Sequence, residues 1–315
     1  MKILFLNNQK KYRGSGEGYN RQWGWELFRE ELGRRADILF CGWGYNPEWK
    51  KRNKLSGIIK RFGKPDVILS HCNLDHYNDY NEITDVLKVH IAEDYYEGCW
   101  KLPRLKKHLQ KYKFDIVFGY SSFVVKQLEK DQIGKKQFLL PFAVDPYIFR
   151  NLKLTKKYDV AAFYCTEPPD IFPFRHKIRK MIKDMGISTW TEKVYYDDAV
   201  IKMNQARICI NSNARFKFVN PRVTEVLSCG TFLLTDRTKE LVDFGYIDGY
   251  HLVMFDNLVD LKDKIIYFLK HEDEREEIAI NGQKFVRENY TNECTVRILL
   301  STLSPELVNV EQNIK

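Results

Sequence analysis

The residues of this chain that are best placed to do chemistry together are Asn220-Pro221-Arg222-Val223-Thr224-Glu225-Val226-Leu227-Ser228-Cys229-Gly230-Thr231. Asn220 is a good helix N-cap, Pro221 suits the first helical position, and Gly230 suits the left-handed position beyond the last turn. The spacing predicts a helix over 221–228, followed by an apolar strand from Phe232. A helix N-terminus opening at the end of a strand-and-loop unit is an anion site. Arg222, in the first turn, can add a charge-assisted bond to a phosphate. Glu225 shares its face three residues on, where a carboxylate can accept bonds from both hydroxyls of a ribose. The same two residues equally fit an ordinary Arg–Glu pair on a helix surface.

A second candidate follows the first apolar run, Ile3–Asn7. It is the loop Arg13-Gly14-Ser15-Gly16-Glu17-Gly18, whose alternate glycines let backbone amides approach a phosphate or sugar closely. Its spacing is not the dinucleotide-binding G-x-G-x-x-G, and no Walker A motif occurs. Gly14 and Gly16 are candidate donor contacts, against the plainer reading of a surface loop. For proton transfer the candidates are His71, which ends the run Ile68-Leu69-Ser70-His71, and Asp94, which follows Val89-His90-Ile91-Ala92-Glu93. Either can serve as a general base if suitably placed, although a histidine in a strand is more often a satisfied core or edge residue.

Charge is distributed unevenly. Of 51 Lys+Arg and 42 Asp+Glu, residues 1–150 hold 27 and 18, and residues 151–315 hold 24 and 24, so the whole excess of nine sits in the first half. Two runs without an acid account for it, residues 50–64 and residues 101–113. In the first, Leu55, Ile58, Ile59 and Phe62 form an apolar stripe. The second contains Lys106, Lys107 and Lys111. Basic amphipathic helices suit anionic lipid surfaces and nucleic-acid backbones alike. The plainer account packs the stripes on a sheet and leaves the lysines solvated.

These residues need a scaffold to position them. Short β-branched or aromatic runs alternate with helical stretches throughout the 315 residues, which argues for α/β architecture with parallel sheets. Six strands are expected before residue 143 and five after residue 158, with strands at Phe138–Phe142 and His251–Phe255 among them. Two doubly wound units of about 150 residues each are expected, divided as 1–145 and 146–315, the last helices packing back on the first. Ligands of such sheets bind beyond the carboxyl ends of the strands. With 44% hydrophobic and 30% charged residues the chain is neither disordered nor fibrous, and no apolar run reaches a membrane span. No signal peptide is expected at the N-terminus. Seven scattered cysteines without a C-x-x-C pair argue against a disulfide framework or a zinc site and for a reducing, cytoplasmic setting.

Several of these segments, taken in order, carry a resemblance. They are Ala206-Arg207-Ile208-Cys209-Ile210-Asn211, Asn220-x-Arg222-x-x-Glu225, Ser228-Cys229-Gly230-Thr231-Phe232-Leu233-Leu234-Thr235, Glu274-Arg275-Glu276-Glu277-Ile278-Ala279 and Asn281-Gly282-Gln283. With Leu140-Pro141-Phe142-Ala143-Val144-Asp145 as an interdomain segment, they resemble the nucleotide-sugar-binding half of GT-B glycosyltransferases, in particular the CgeB-type branch near glycosyltransferase family 4. The resemblance implies a GT-B fold, two Rossmann-like domains facing a central cleft. It also implies a hexose moved from a nucleotide diphosphate sugar, UDP-linked, to an acceptor hydroxyl, with retention.

Glu225 falls on the ribose-binding glutamate of the family. Asn220, Arg222 and Arg175 become donor-binding candidates, and the first domain becomes the acceptor side. Family 4 members carry a second glutamate eight residues earlier; here that position is Lys217, which leaves the sugar unspecified. The D-x-D motif of metal-dependent transferases is missing, so no metal or other cofactor is expected. The basic first half then suits an anionic acceptor, a lipid-linked or phosphorylated glycan or hydroxylated DNA, and peripheral contact with a membrane surface. Two alternatives stay open: a transferase acting on hydroxylated bases of DNA, and a catalytically silent protein that binds sugar nucleotides or polyanions.

Overall fold

The structure, a computed structural model, describes residues 1–7, 23–42, 54–71, 74–92, 95, 101–162, 172–192, 194, 196–213 and 218–313. The chain divides into two units, Met1–Pro141 with Thr295–Lys315, and Phe142–Cys294.

The first unit runs β1 (Lys2–Leu6), α1 (Trp23–Arg35), β2 (Asp37–Cys41), α2 (Leu55–Phe62), β3 (Val67–Ser70), β4 (Leu87–Ala92), α3 (Leu102–Leu109), β5 (Ile116–Gly119), α4 (Ser122–Lys130) and β6 (Lys136–Leu139). Its six strands are all parallel in the order β2-β1-β3-β4-β5-β6, with Ile3 opposite both Ile38 and Val67. Strands buried on both faces are largely apolar, which is why Ile3–Leu6, Val67–Leu69 and Ile116–Phe118 are unbroken Ile/Leu/Val/Phe runs. Ile3, Phe5, Leu69, Val89 and Phe118 form the core on one side.

Two short 3₁₀ turns, Leu74–His76 and Tyr80–Glu82, join β3 to β4. Asp79, between them, caps α2 from a distance: its carboxylate accepts the Leu55 and Ser56 N–H groups (2.5 and 3.0 Å). Burial raises the carboxyl of Asp79, but the bonds from Ser56 and Leu55 more than offset this and hold it below its usual value. The apolar stripe of α2 faces Ile3, Leu4 and Leu39 around a cavity of about 10 Å³, so most of the stripe packs on the sheet. Phe62, at the helix end, stays exposed.

The second unit runs β7 (Tyr158–Ala162), α5 (Pro173–Asp184), β8 (Thr189–Trp190), α6 (Tyr196–Gln205), β9 (Ala206–Asn211), α7 (Pro221–Ser228), β10 (Phe232–Asp236), α8 (Lys239–Asp243), β11 (Val253–Phe255), α9 (Leu258–Lys270) and α10 (Glu272–Asn289). Its sheet is also wholly parallel, in the order β11-β10-β9-β7-β8. A last helix, α11 (Asn292–Asn313), begins at the end of this unit. From Thr295 it belongs to the first, where Val296, Leu299 and Leu303 are buried with the Ile3–Phe118 core. No helix among the described residues is long and apolar enough to cross a membrane.

Two strands shift from their expected places. The apolar run Phe138–Phe142 contains β6 only as far as Leu139, and the strand starts earlier, at the polar Lys136. Pro141 has no N–H for a ladder, and pairing with β5 recruits Lys136 and Gln137 instead. The second, expected from His251, starts at Val253: the His251 imidazole Nδ1 accepts the Ile247 N–H (3.1 Å) and closes a turn.

Candidate functional site

The start of α7 is built from its own sequence. Asn220 is extended (φ −99°, ψ 162°), and its Oδ1 accepts the Arg222 N–H at 3.0 Å. Pro221 offers no N–H, and the Thr224 hydroxyl donates to the Pro221 carbonyl (2.9 Å). The N-terminus is thus closed by its own cap. What α7 offers a ligand is the side chains of its first turn rather than bare amides. Arg222 and Glu225 form an ion pair at 3.1 Å, each about one quarter exposed (23% and 22%). Val223, Thr224, Val226 and Leu227 are buried, so the Arg–Glu edge is what the helix leaves toward solvent.

The far end of the helix is held as tightly. Gly230 has φ +68°, and the N–H groups of Gly230 and Thr231 return to the carbonyls of Leu227 and Val226. This is the Schellman closure that a left-handed glycine permits. Gln283 Nε2 donates to the Ser228 carbonyl (2.9 Å) and the Ser228 hydroxyl to the Phe149 carbonyl (2.5 Å). The motif residues Gly230 and Gln283 thus fix α7 in place.

The helix starts at the carboxyl ends of the strands. Asn220 Nδ2 donates to the side-chain oxygens of Asn211, the last residue of β9, and of Asn213 (3.1 and 2.7 Å). Arg175 is buried on α5, the helix that follows β7; its Nε donates to the Ser212 carbonyl (2.8 Å), and its guanidinium lies 3.9 Å from the centre of the Phe172 ring. β7 and β9 are the neighbouring strands between which the strand order of this sheet reverses. Arg175 and the Asn220 cluster therefore meet at the switch point where open α/β sheets take their ligands. Cys209 in β9 and Cys229 at the end of α7 are buried, and burial pushes both thiols up, Cys209 to about 12, so neither is a nucleophile.

In the first unit, His71 directly follows β3, and its N–H donates to the Leu6 carbonyl of β1 (3.0 Å). This too is a switch point, between β1 and β3. His90 is a core residue: its Nδ1 lies 2.8 Å from the Ser70 hydroxyl, and its ring packs on Phe114. Asp94, Gly14 and Gly16 lie outside the described residues.

Lys106 pairs with Asp131 at 2.5 Å, and the same carboxylate accepts bonds from Tyr95 and Gln127 (3.0 and 2.8 Å). Lys111 lies 3.3 Å from Asp75, which also accepts the Tyr112 hydroxyl (2.7 Å). Burial pushes the neighbouring His108 imidazole down, and Asp75 offsets part of this. The run without an acid is therefore not without acids in space. Lys107, with Arg104 and Lys113, is exposed.

Sequence reasoning missed Ser212, Asn213, Asp236 and Glu240. Both carboxylate oxygens of Asp236 accept the Asn213 N–H (2.9 and 3.2 Å), and Glu240 accepts the Val219 N–H (2.6 Å). The signal available was Asn211-Ser212-Asn213, three small polar residues at the end of an apolar strand. Among the described residues no three His, Cys, Asp or Glu side chains come together as a metal-holding group.

Residues 175–301 match the glycosyl transferase-like family. No curated protein matches the chain. Among solved structures, HepE of Anabaena, crystallised in complex with UDP-glucose, has a TM-score of 0.67 at 11% identity, over 97% of this chain and 100% of that one. Sucrose-phosphate synthase of Thermosynechococcus elongatus has a TM-score of 0.65 at 11% identity, over 98% and 99%. A glycosyltransferase of Rickettsia africae has 0.60 at 13%, over 98% of each chain. At these identities the structural likeness speaks to the fold, and the match over 175–301 to the family of the second unit. The fold, with its two Rossmann-like parallel sheets, is that of the GT-B glycosyltransferases, and residues 175–301 are glycosyl transferase-like.

Proposed function

We propose that this protein is a glycosyltransferase that moves a hexose from a UDP-linked donor to a hydroxyl of an anionic acceptor, with retention and without a metal ion. The observation that carries this reading is the Arg222–Glu225 pair, presented by a doubly capped helix at the switch point of the second sheet. Glu225 accepts bonds from the ribose hydroxyls, and Arg222 meets the diphosphate with a charge-assisted bond. Arg175 supports the strand end beside them. The UDP-glucose in the HepE complex favours uridine among the nucleotides. A bound donor stabilises only the folded state, so a thermal-shift screen of UDP, GDP, ADP and CMP sugars tests the assignment. UDP sugars should raise the melting temperature, and a shift confined to another nucleotide would overturn the choice of uridine.

In this reading the leaving diphosphate is neutralised by the Arg222 guanidinium rather than by a metal ion. Turnover should therefore persist in EDTA. Activity abolished by chelation and restored by manganese would refute it.

The first unit is assigned the acceptor, with His71 at its switch point and the basic face of α3 toward the anion. Lys106 and Lys111 are partly committed to Asp131 and Asp75, so Arg104, Lys107 and Lys113 carry the exposed charge. Replacing these three by Gln should weaken binding to duplex DNA or to phosphatidylglycerol vesicles, whichever the wild type binds, and flatten its salt dependence. Exposed charges are screened over about 8–10 Å at moderate ionic strength. Nucleotide affinity should not change. Equal salt slopes in wild type and variant would reduce the face to a solvated one.

A further inference from the structure

The chain leaves β9 through Ser212 and Asn213 and enters α7 through Val219 and Asn220. Both feet of this segment are held by carboxylates on either side of one connection, Asp236 at the end of β10 and Glu240 in α8. Asp236 takes the Asn213 N–H at 2.9 and 3.2 Å, and Glu240 takes the Val219 N–H at 2.6 Å. The feet are tied to each other by Asn220 Nδ2 on Asn213 Oδ1 (2.7 Å) and to β9 by Asn220 Nδ2 on Asn211 Oδ1 (3.1 Å). Asn211 Nδ2 in turn donates to the Thr235 hydroxyl of β10 (3.0 Å).

Asn211, Asn213, Thr235 and Glu240 are all at least nine-tenths buried. Networks of this kind are demanding, because a buried polar group that loses its partner is costly, and an apolar packing would hold the same elements together with less at stake. Two groups beside it, Ser212 Oγ and Asn213 Nδ2, are buried without a hydrogen-bond partner among the described residues. Such exceptions call for a reason beyond stability.

We propose that Asn213, Asp236 and Glu240 are positioning residues for donor binding, acting through Asn220. The inference rests on the donor-site reading of α7. The geometry makes the link direct. Asn220 caps the N–H of Arg222, and Arg222 holds Glu225 at 3.1 Å, so the lateral position of Asn220 sets where both donor-binding groups stand. A displacement of about 1 Å in positioning groups is enough to cost orders of magnitude in function.

Asn220→Ser tests this, because serine still supplies a capping oxygen but has no amide to reach Asn211 and Asn213. Asp236→Asn keeps the shape of the foot and removes its charge, and Glu240→Gln does the same at the other foot. UDP affinity by calorimetry, donor and acceptor KM, kcat and the melting temperature without ligand are compared with wild type. The expected result is UDP binding and donor KM worse by about 10-fold in Asn220→Ser, with kcat within about threefold and acceptor KM unchanged. The Asp236 and Glu240 variants move in the same direction and carry the test if Asn220→Ser does not fold. A purely structural network would lower the melting temperature and leave the UDP affinity of the folded fraction alone, which overturns the inference. Wild-type UDP affinity in all three variants, with Glu225→Ala weakened, overturns it while the donor site stands. No UDP binding by the wild type overturns the donor reading and the inference together.

Discussion

Glu225→Ala should weaken UDP-sugar binding by about 10- to 100-fold and leave the fold intact. The binding side of this expectation comes from the hydrogen-bond arithmetic: a charged acceptor serving sugar hydroxyls is worth about 1.5–3 kcal/mol, and each 1.4 kcal/mol is a factor of ten. The folding side comes from what the Glu225 side chain does in the free protein. The helix is closed at its start by Asn220 and at its end by Gly230, and it buries Val223, Val226 and Leu227; none of these uses the carboxylate. Its contact is the ion pair with Arg222, partly exposed and three residues away along the helix. Pairs of this kind contribute only about 0.3–0.5 kcal/mol. Arg222→Ala should also weaken binding, and the double variant should lose less than the sum, because each partner orients the other. Calorimetry gives the answer: an unchanged donor affinity in Glu225→Ala removes the glutamate from the site.

Much of the scaffold is legible from local chemistry. The stripe Leu55, Ile58, Ile59, Phe62 delimits α2, and Asn220-Pro221 with Gly230 delimits α7, because caps and periodicity act within a few residues. The parts that depend on distant pairing are not legible. Asp236 and Glu240 have no signature of their own; their role exists only because residues 213 and 219 return to the end of β10 and to α8. Arg175 is a donor-binding candidate by resemblance alone, and its burial and its bond to the Ser212 carbonyl emerge only when α5 is laid against the end of β9. The 101–113 run reads as uniformly basic, yet Asp131 and Asp75 reach Lys106 and Lys111 from 25 and 36 residues away. Asp79 caps α2 across 24 residues, a helix start with no local cap. In these four places the sequence and the fold part company because a charged side chain finds its partner far along the chain.

The motif Asn281-Gly282-Gln283 gives the second large effect, on stability rather than chemistry. Gly282 lies within α10, where glycine is about 1 kcal/mol less favourable than alanine, so helix propensity alone would make Gly282→Ala stabilising. Packing reverses the sign. A Cβ at this position would lie 2.2 Å from the His251 carbonyl oxygen and 2.8 Å from a methyl of Leu227. The first of these is backbone, held by the turn that His251 closes through its N–H bond to the Ile247 carbonyl (2.9 Å) and its imidazole bond (3.1 Å), so it cannot swing away as a side-chain tip would. Relief requires α10 to move off α7 and the 247–252 turn. Overpacking of this kind costs about 1–3 kcal/mol and more where backbone must yield. Set against the propensity gain, a net loss of about 2 kcal/mol is expected, a fall of roughly 4–8 °C in melting temperature for a unit of this size. The movement should also break the bond from Gln283 to the Ser228 carbonyl, which Gln283→Ala removes without moving α10 at a cost of about 1 kcal/mol. Gly282→Ala should therefore be clearly the less stable of the two by thermal denaturation. If it melts at or above the wild-type temperature, α10 does not approach the turn this closely and the motif glycine has another purpose.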